Sequence, residues 1–220
     1  MIRFESPKMT VDIVIFSIYN GVLQTLLIKR KNPPFQNSWT LPGGFLKKNE
    51  SLDKAAQREL FEEAGVRHIY LEQLYTFGDP ERDPRGRIIT VVYFALLPAP
   101  LMISAGSDAK ASQWWPVNKL PKLGFDHRKI IDYALIRLRA KLGYTNAAWA
   151  LLPQKFTLSD LQRVYEIVLG QKIDKRNFRK RILSLGLLRT IKEMKTGFHQ
   201  RPARLFSFIS KKKIELKRFF

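Results

Sequence analysis

The chain contains no cysteine among its 220 residues. Disulfides and thiolate metal centres are therefore excluded, which suits a reducing compartment and gives the expectation of a cytoplasmic protein. Long apolar runs are missing as well. The longest, Val91 to Ile103, is too short to span a bilayer and is broken by Pro98 and Pro100. The first nine residues, MIRFESPKM, are mixed in character, and the apolar run after them holds Asp12, so neither a signal peptide nor a membrane partner is expected. Internal repeats and low-complexity linkers are also lacking. Acidic residues are scarce, and unevenly so. Residues 1–120 carry 15 Lys/Arg against 12 Asp/Glu, whereas residues 121–220 carry 24 against 7, which places +17 of the net +20 in the back half. A charge excess gathered in one half points to a polyanionic partner, nucleic acid first and an anionic membrane surface second.

The acids that are present in the front half are concentrated. Residues 44–66 read GFLKKNESLDKAAQRELFEEAGV. Ser51 is a suitable N-cap, and Leu52, Ala55, Ala56 and Leu60 follow at helical spacing. At about 100° per residue, Glu59, Glu62 and Glu63 fall within roughly one third of the helix circumference. Carboxylates that close repel one another unless cations lie among them, and oxygen ligands on a rigid face suit Mg²⁺ or Mn²⁺. Such ions bridge diphosphate oxygens and activate water. Arg58 can orient a carboxylate, and Glu50 can pair with Arg58 across the turn. Gly43 and Gly44 let backbone approach a ligand. The plainer alternative is a solvated acidic helix laced with Arg–Glu pairs. The order Gly44, five residues, Glu50, seven residues, Arg58-Glu59-Leu60, one residue, Glu62-Glu63, one residue, Gly65-Val66 resembles the Nudix box at every constrained position. The resemblance implies an α/β fold, an α/β/α sandwich with a mixed sheet, and a diphosphate-plus-metal site. Under it Glu62, Glu59, Arg58 and Glu50 are the candidate catalytic residues, and Glu59, Glu62, Glu63 and Gly43 the metal-holding set.

The rest of the front half agrees with a mixed sheet. Val11–Tyr19 and Val22–Lys29 are β-rich runs joined by Asn20-Gly21, a tight-hairpin dipeptide. Ile69–Phe77 and Ile88–Leu97 read as two more strands, Trp114–Val117 as a short last one, and Asp126–Leu142 as a long amphipathic helix and possible interdomain connector. Between the middle strands lies the charged loop GDPERDPRGR, residues 78–87. Its Arg82, Arg85 and Arg87 are candidates to hold phosphate or ribose, and Asp79 and Asp83 to accept from ribose; a solvated loop explains them equally well. Trp39 is a candidate base-stacking residue or a packing residue, and Arg30 shares that ambiguity. No Glu occurs from Arg82 through Tyr165, so a later-loop glutamate of the kind many Nudix hydrolases use is missing; Glu81 and Asp83 are the candidate substitutes.

In the back half, Thr157-Leu158-Ser159-Asp160 starts a helix that Gly170 ends. Asp174 caps a second, Lys175 to Leu185, with Phe178, Ile182 and Leu185 on its apolar side. Arg176 and Lys180 point nearly opposite, flanked by Asn177 and Arg179. Leu187–Glu193 and Ala203–Ile209 are strand candidates around a basic loop, Lys195 to Arg201, that includes His199. This order resembles a winged helix-turn-helix, in which Lys175, Arg176, Asn177, Arg179 and Lys180 would face a DNA groove and Lys195, His199 and Arg201 would meet phosphates. A cationic helical protein-interaction domain is the alternative. A Nudix domain over residues 1–145 followed by a winged helix over 146–220 resembles the Nudix-related transcriptional regulators of bacterial NAD metabolism. That resemblance implies a homodimeric repressor on a double-stranded operator, released by ADP-ribose or a related nucleotide, with weak or absent pyrophosphatase activity. Two rivals remain at this stage: a Mg²⁺-dependent ADP-ribose pyrophosphatase, and a Nudix enzyme acting on RNA.

Overall fold

A computed structural model describes residues 6–66, 69–99, 109–197 and 200–216. These fall into two compact units. The first takes the described residues of Met1–Ser17, Gln24–Leu96 and Pro100–Leu135; the second takes those of Ile18–Leu23, Leu97–Ala99 and Ile136–Phe220.

The first unit is built on β1 (Lys8–Tyr19) and β2 (Val22–Arg30), joined at Asn20-Gly21, where both residues adopt positive φ, 48° and 75°. That pairing of left-handed residues matches the twist of the strands it joins. Two short strands follow, β3 (Trp39–Thr40) and β4 (Gly43–Phe45), then helix α1 (Leu52–Ala64). β5 (Tyr70–Phe77) and β6 (Ile88–Leu97) form an antiparallel pair, and β7 (Ala109–Pro116) lies antiparallel to β2. The sheet order is β3-β2-β1-β6-β5, with β4 on β1 and β7 on β2. Lys8 N–H donates to Arg87 O and Thr90 Oγ1 donates to Thr10 O, so β1 and β6 run the same way. The sheet is mixed. Thr10 to Ser17 of β1 and Thr90 to Leu97 of β6 are buried without alternation, so both faces of the central strands are covered. Helix α1 begins at Ser51, whose hydroxyl accepts from Lys54 N–H, and stops at Gly65 in the left-handed conformation.

Helix α2 (His127–Leu142) buries Ile130, Ile131, Ala134 and Leu138, and its residues belong to the first unit up to Leu135 and to the second from Ile136. A 3₁₀ turn, Ala147–Leu151, then leads to α3 (Leu158–Leu169) and α4 (Lys175–Ser184). Thr157 and Asp160 form a reciprocal capping box at the start of α3, and Asp174 caps α4 by accepting from Asn177 N–H. The antiparallel pair β8 (Leu188–Gly197) and β9 (Gln200–Phe208) completes the wing.

Three differences from the sequence reading stand out. β7 is longer than Trp114–Val117 because seven residues of β2 supply it with partners. The basic segment Lys195–Arg201 is largely strand, since Lys195 pairs with Ala203 and Gly197 with Gln200. The 3₁₀ turn at Ala147 has no helical periodicity to reveal it.

The second unit hangs on α4's apolar side. Phe178 and Ile182 are buried, and Phe178 meets Tyr165 edge-on with ring centroids 5.4 Å apart. Phe178→Ala is expected to cost about 3–5 kcal/mol through the cavity it leaves. Urea unfolding followed by far-UV circular dichroism measures this, and a loss under 1 kcal/mol would mean that α4 is held some other way.

Candidate functional site

One cavity of about 590 Å³ opens in the first unit, against the start of β1, the Gly43-Gly44 segment, α1 and the 82–85 loop. Its lining includes Gly43, Gly44, Arg58, Glu59, Glu62 and Glu63, together with Arg30, Arg82 and Asp83. Asp12, Phe45, Lys47, Arg85, Phe125 and His127 join them.

Arg58 organises the acidic side. Its Nε and Nη2 donate to the two carboxylate oxygens of Glu50 at 2.8 and 2.9 Å. Nη1 donates to Glu59 at 2.5 Å and to Glu62 at 3.2 Å, and Nη2 also reaches Phe45 O. The Glu50 carboxyl is held down at about 2, first by the Arg58 hydrogen bond and then by Lys47 N–H. Glu50 does not line the cavity; it anchors the arginine that does. Glu59 is buried, and that burial pushes its carboxyl above the ordinary value despite Arg58. A side chain at Gly44 would collide with the Glu59 carboxylate, and one at Gly43 with Val11 O, so both glycines are required by close approach.

The metal-holding set can be tested against these positions. Glu59, Glu62, Glu63 and the Gly43–Gly44 backbone offer only oxygen donors to one cavity, which fits a hard divalent cation. Among the described residues, no three acidic or histidine side chains stand ready around a single point. Arg58 and Lys47 hold Glu59 and Glu62 instead. A cation here would take over neutralisation that these two side chains now provide.

The basic and aromatic side is arranged differently from the sequence reading. Arg82 is almost fully buried and spends its guanidinium on Asp126, at 2.8 and 3.1 Å, with Asp12 at 3.5 Å. Asp83 faces Arg85: burial pushes its carboxyl up, but the hydrogen bonds from Arg85 outweigh this and hold it below the ordinary value. Asp79 pairs with Lys129 and, with Glu81, lies away from the main cavity; Arg87 donates to Gly78 O. Trp39 packs edge-on against Trp115 at 5.5 Å and does not line the cavity. The aromatic rings that do are Phe45 and Phe125. Arg85 lies over both, at 5.0 and 5.5 Å, and Arg30 lies over Phe125 at 5.1 Å.

Asp12, His127 and Phe125 were not foreseen as site residues. A charged residue inside the apolar run Val11–Phe16 was the available signal for Asp12. His127 Nδ1 accepts from Leu41 N–H at 2.8 Å, which places the imidazole proton on Nε2, 3.8 Å from Asp12. Burial lowers its pKa, so it is held neutral.

In the second unit, Lys175, Arg176, Asn177 and Lys180 of α4 are exposed. Arg179 is half-buried and donates to Ser159 Oγ at 3.4 Å. Lys195 and Arg201 sit in β8 and β9, but their side chains, and His199 altogether, lie outside the described residues.

Residues 8–134 match the NUDIX domain model, and residues 148–208 match the NrtR DNA-binding winged helix domain. The chain is 40% identical over 209 residues to the ADPR responsive transcriptional repressor NtrR of Acinetobacter baylyi, covering 93% of this chain and 83% of the relative. The chain belongs to the NrtR family. Shewanella oneidensis NrtR complexed with a 27mer DNA superposes with a TM-score of 0.81 at 38% identity, over 91% of this chain and 93% of that one. The NUDIX domain of the same NrtR complexed with ADP ribose gives 0.57 at 38% identity, over 61% and 90%. The fold is therefore a Nudix fold followed by a winged helix, as the sequence reading expected.

Glu59 generates a prediction. A carboxyl raised in the folded state favours the protonated form, so its contribution is present below the ordinary value of 4.5 and is lost as pH rises through the folded value. Mg²⁺ or Mn²⁺ should restore it, adding about 2.7 kcal/mol at roughly 100 times its Kd. Thermal melts at pH 5 and pH 7.5 should show a larger metal-dependent rise in Tm at the higher pH, and Glu59→Gln should abolish the rise. An equal rise in Glu59→Gln would remove Glu59 from the metal site.

Proposed function

We propose that this chain is a DNA-binding transcriptional repressor whose Nudix unit binds ADP-ribose or a related nucleotide, which releases it from DNA. One observation carries the reading. A cavity of about 590 Å³ lined by the Nudix acids and an exposed basic helix on a winged helix occur in one chain, at 40% identity to an ADPR responsive repressor over 93% of its length. The genes controlled are those of NAD biosynthesis or salvage. The repressor acts in the cytoplasm as a homodimer, which matches the two-fold symmetry of paired half-sites.

In the nucleotide site, Glu59, Glu62, Glu63 and the Gly43 carbonyl would hold Mg²⁺ or Mn²⁺. When bound, that ion neutralises diphosphate oxygens and polarises water. Arg58 keeps Glu59 and Glu62 in position, with Glu50 fixing Arg58 in turn. Arg30 and Arg85, stacked on Phe125 and Phe45, present cations and flat surfaces to a nucleotide. On the DNA side, Lys175, Arg176, Asn177 and Lys180 would meet the groove, with Arg179 supporting from Ser159. Lys195, His199 and Arg201 of the wing would meet phosphates.

The complete acidic helix favours a second reading, a pyrophosphatase cleaving ADP-ribose to AMP and ribose 5-phosphate. Away from α1, the acids lining the cavity among the described residues are Asp12 and Asp83. Asp12 stands between Arg82 and His127, and Asp83 is held by Arg85, so neither is placed as an open base. Turnover is expected to be weak or absent.

A mobility shift on DNA from upstream of the chain's own operon, with and without ADP-ribose at stated salt, tests the reading; AMP is assayed in the same tubes. Intact ADP-ribose should release a specific complex. Arg176→Ala and Lys180→Ala should each weaken that complex and, where a phosphate contact is lost, reduce the salt slope by about 1. Rapid AMP formation with no specific shift would replace the repressor with the hydrolase.

A further inference from the structure

The floor of the nucleotide cavity is wired to the start of a helix that runs out of the first unit. Asp126 precedes α2 and its carbonyl accepts from Ile130 N–H, so it occupies the helix's capping position. Its carboxylate takes both donors of the buried Arg82 fork, and Arg82 reaches Asp12 of β1 as well. The next residue, His127, accepts from the backbone of Leu41, two residues ahead of Gly43. Besides the surface pair Lys129–Asp79, the first turn of α2 is thus held at two points on the cavity. One is a guanidinium on the cavity wall; the other is the segment leading into the glycines.

At its other end α2 is keyed to the winged helix. Arg139 Nε donates to Val168 O in the last turn of α3, at 2.9 Å, and Lys141 O accepts both the amide and the hydroxyl of Thr145. A 16-residue helix is about 24 Å long. Its residues up to Leu135 belong to one unit and those from Ile136 to the other.

Building on the proposed nucleotide-released repressor, we infer that the Asp126–Arg82–Asp12 bridge reports cavity occupancy to α2, making Asp126 a positioning residue for the coupling between nucleotide and DNA. The chemistry is a competition for one guanidinium. Without ligand, Arg82 is neutralised by Asp126 and Asp12. A diphosphate bound in the cavity brings a stronger and more concentrated negative charge to Arg82, and its hold on Asp126 weakens. α2 then loses its Asp126 anchor in the liganded state and keeps it in the free state. That difference in contacts is what allows a ligand to shift a conformational equilibrium. His127 remains neutral and bound to Leu41, so the first turn pivots on it.

The test measures coupling, not affinity. Dissociation constants for the upstream DNA are determined with and without saturating ADP-ribose, for wild type, Asp126→Asn and Asp126→Glu. ADP-ribose affinity is measured separately with and without DNA, since coupling must appear equally from both sides. Wild type is expected to lose DNA affinity about tenfold or more on saturation. Asp126→Asn, which keeps the cap but loses the charge, should bind both ligands with the ratio reduced to roughly threefold or less. Asp126→Glu should recover part of the wild-type ratio. An unchanged ratio in Asp126→Asn, with wild-type circular dichroism, overturns the inference and leaves the repressor standing. A wild type whose DNA binding ignores ADP-ribose overturns the repressor reading, and the inference falls with it.

Discussion

Arg58 carries one positive charge into a space bordered by three carboxylates, Glu50, Glu59 and Glu62, and touches all of them. That arrangement sets the terms for the first unit's site. Glu50 spends itself on fixing the arginine; the arginine fixes Glu59 and Glu62; and the fixed Glu59 requires that residue 44 have no side chain. Charges this close are tolerable only with a cation among them, and the Arg58 guanidinium is one. Removing Arg58 would leave a buried Glu59 with its charge uncompensated, so the arginine protects the fold before it serves any chemistry.

The two units solve opposite electrostatic problems. The first concentrates negative charge on α1 and brings Arg30, Arg82 and Arg85 to the same cavity. The second spreads positive charge over a helix whose inner side is Phe178 and Ile182 and whose outer side is solvated. Lys175, Arg176 and Lys180 on that outer side are exposed, where water and a polyanion can neutralise them. The first unit holds its part-buried carboxylates with bidentate arginines, Arg58 on Glu50 and Arg82 on Asp126.

The strongest local signals in the sequence became the most faithfully realised structure. Asn20-Gly21, Ser51, Thr157, Gly170 and Asp174 all act through backbone torsion or cap hydrogen bonds, which depend on neighbours within a few positions. The Nudix acids gather for the same reason, since one helix carries them. What could not be read depended on contacts across long stretches of chain. Arg82 looked like a free phosphate ligand until Asp126, 44 residues on, was seen to hold it. Of the two roles open to Trp39, stacking on a base or packing, the structure shows packing, edge-on against Trp115, 76 residues away in the chain. Phe125 and His127 carry no local pattern at all; they reach the cavity because the segment before α2 returns there.

The tip of the first hairpin, Ile18–Leu23, and the short stretch Leu97–Ala99 cluster with the winged-helix unit although they are encoded within the Nudix half. The second unit is therefore discontinuous in sequence, and no single cut of the chain separates the two cleanly. A fragment beginning at residue 146 would leave behind Ile18, which lines an apolar groove with Leu152, Val164 and Ile167. Recombination that exchanged only the DNA-reading half would have to carry a compatible hairpin tip with it.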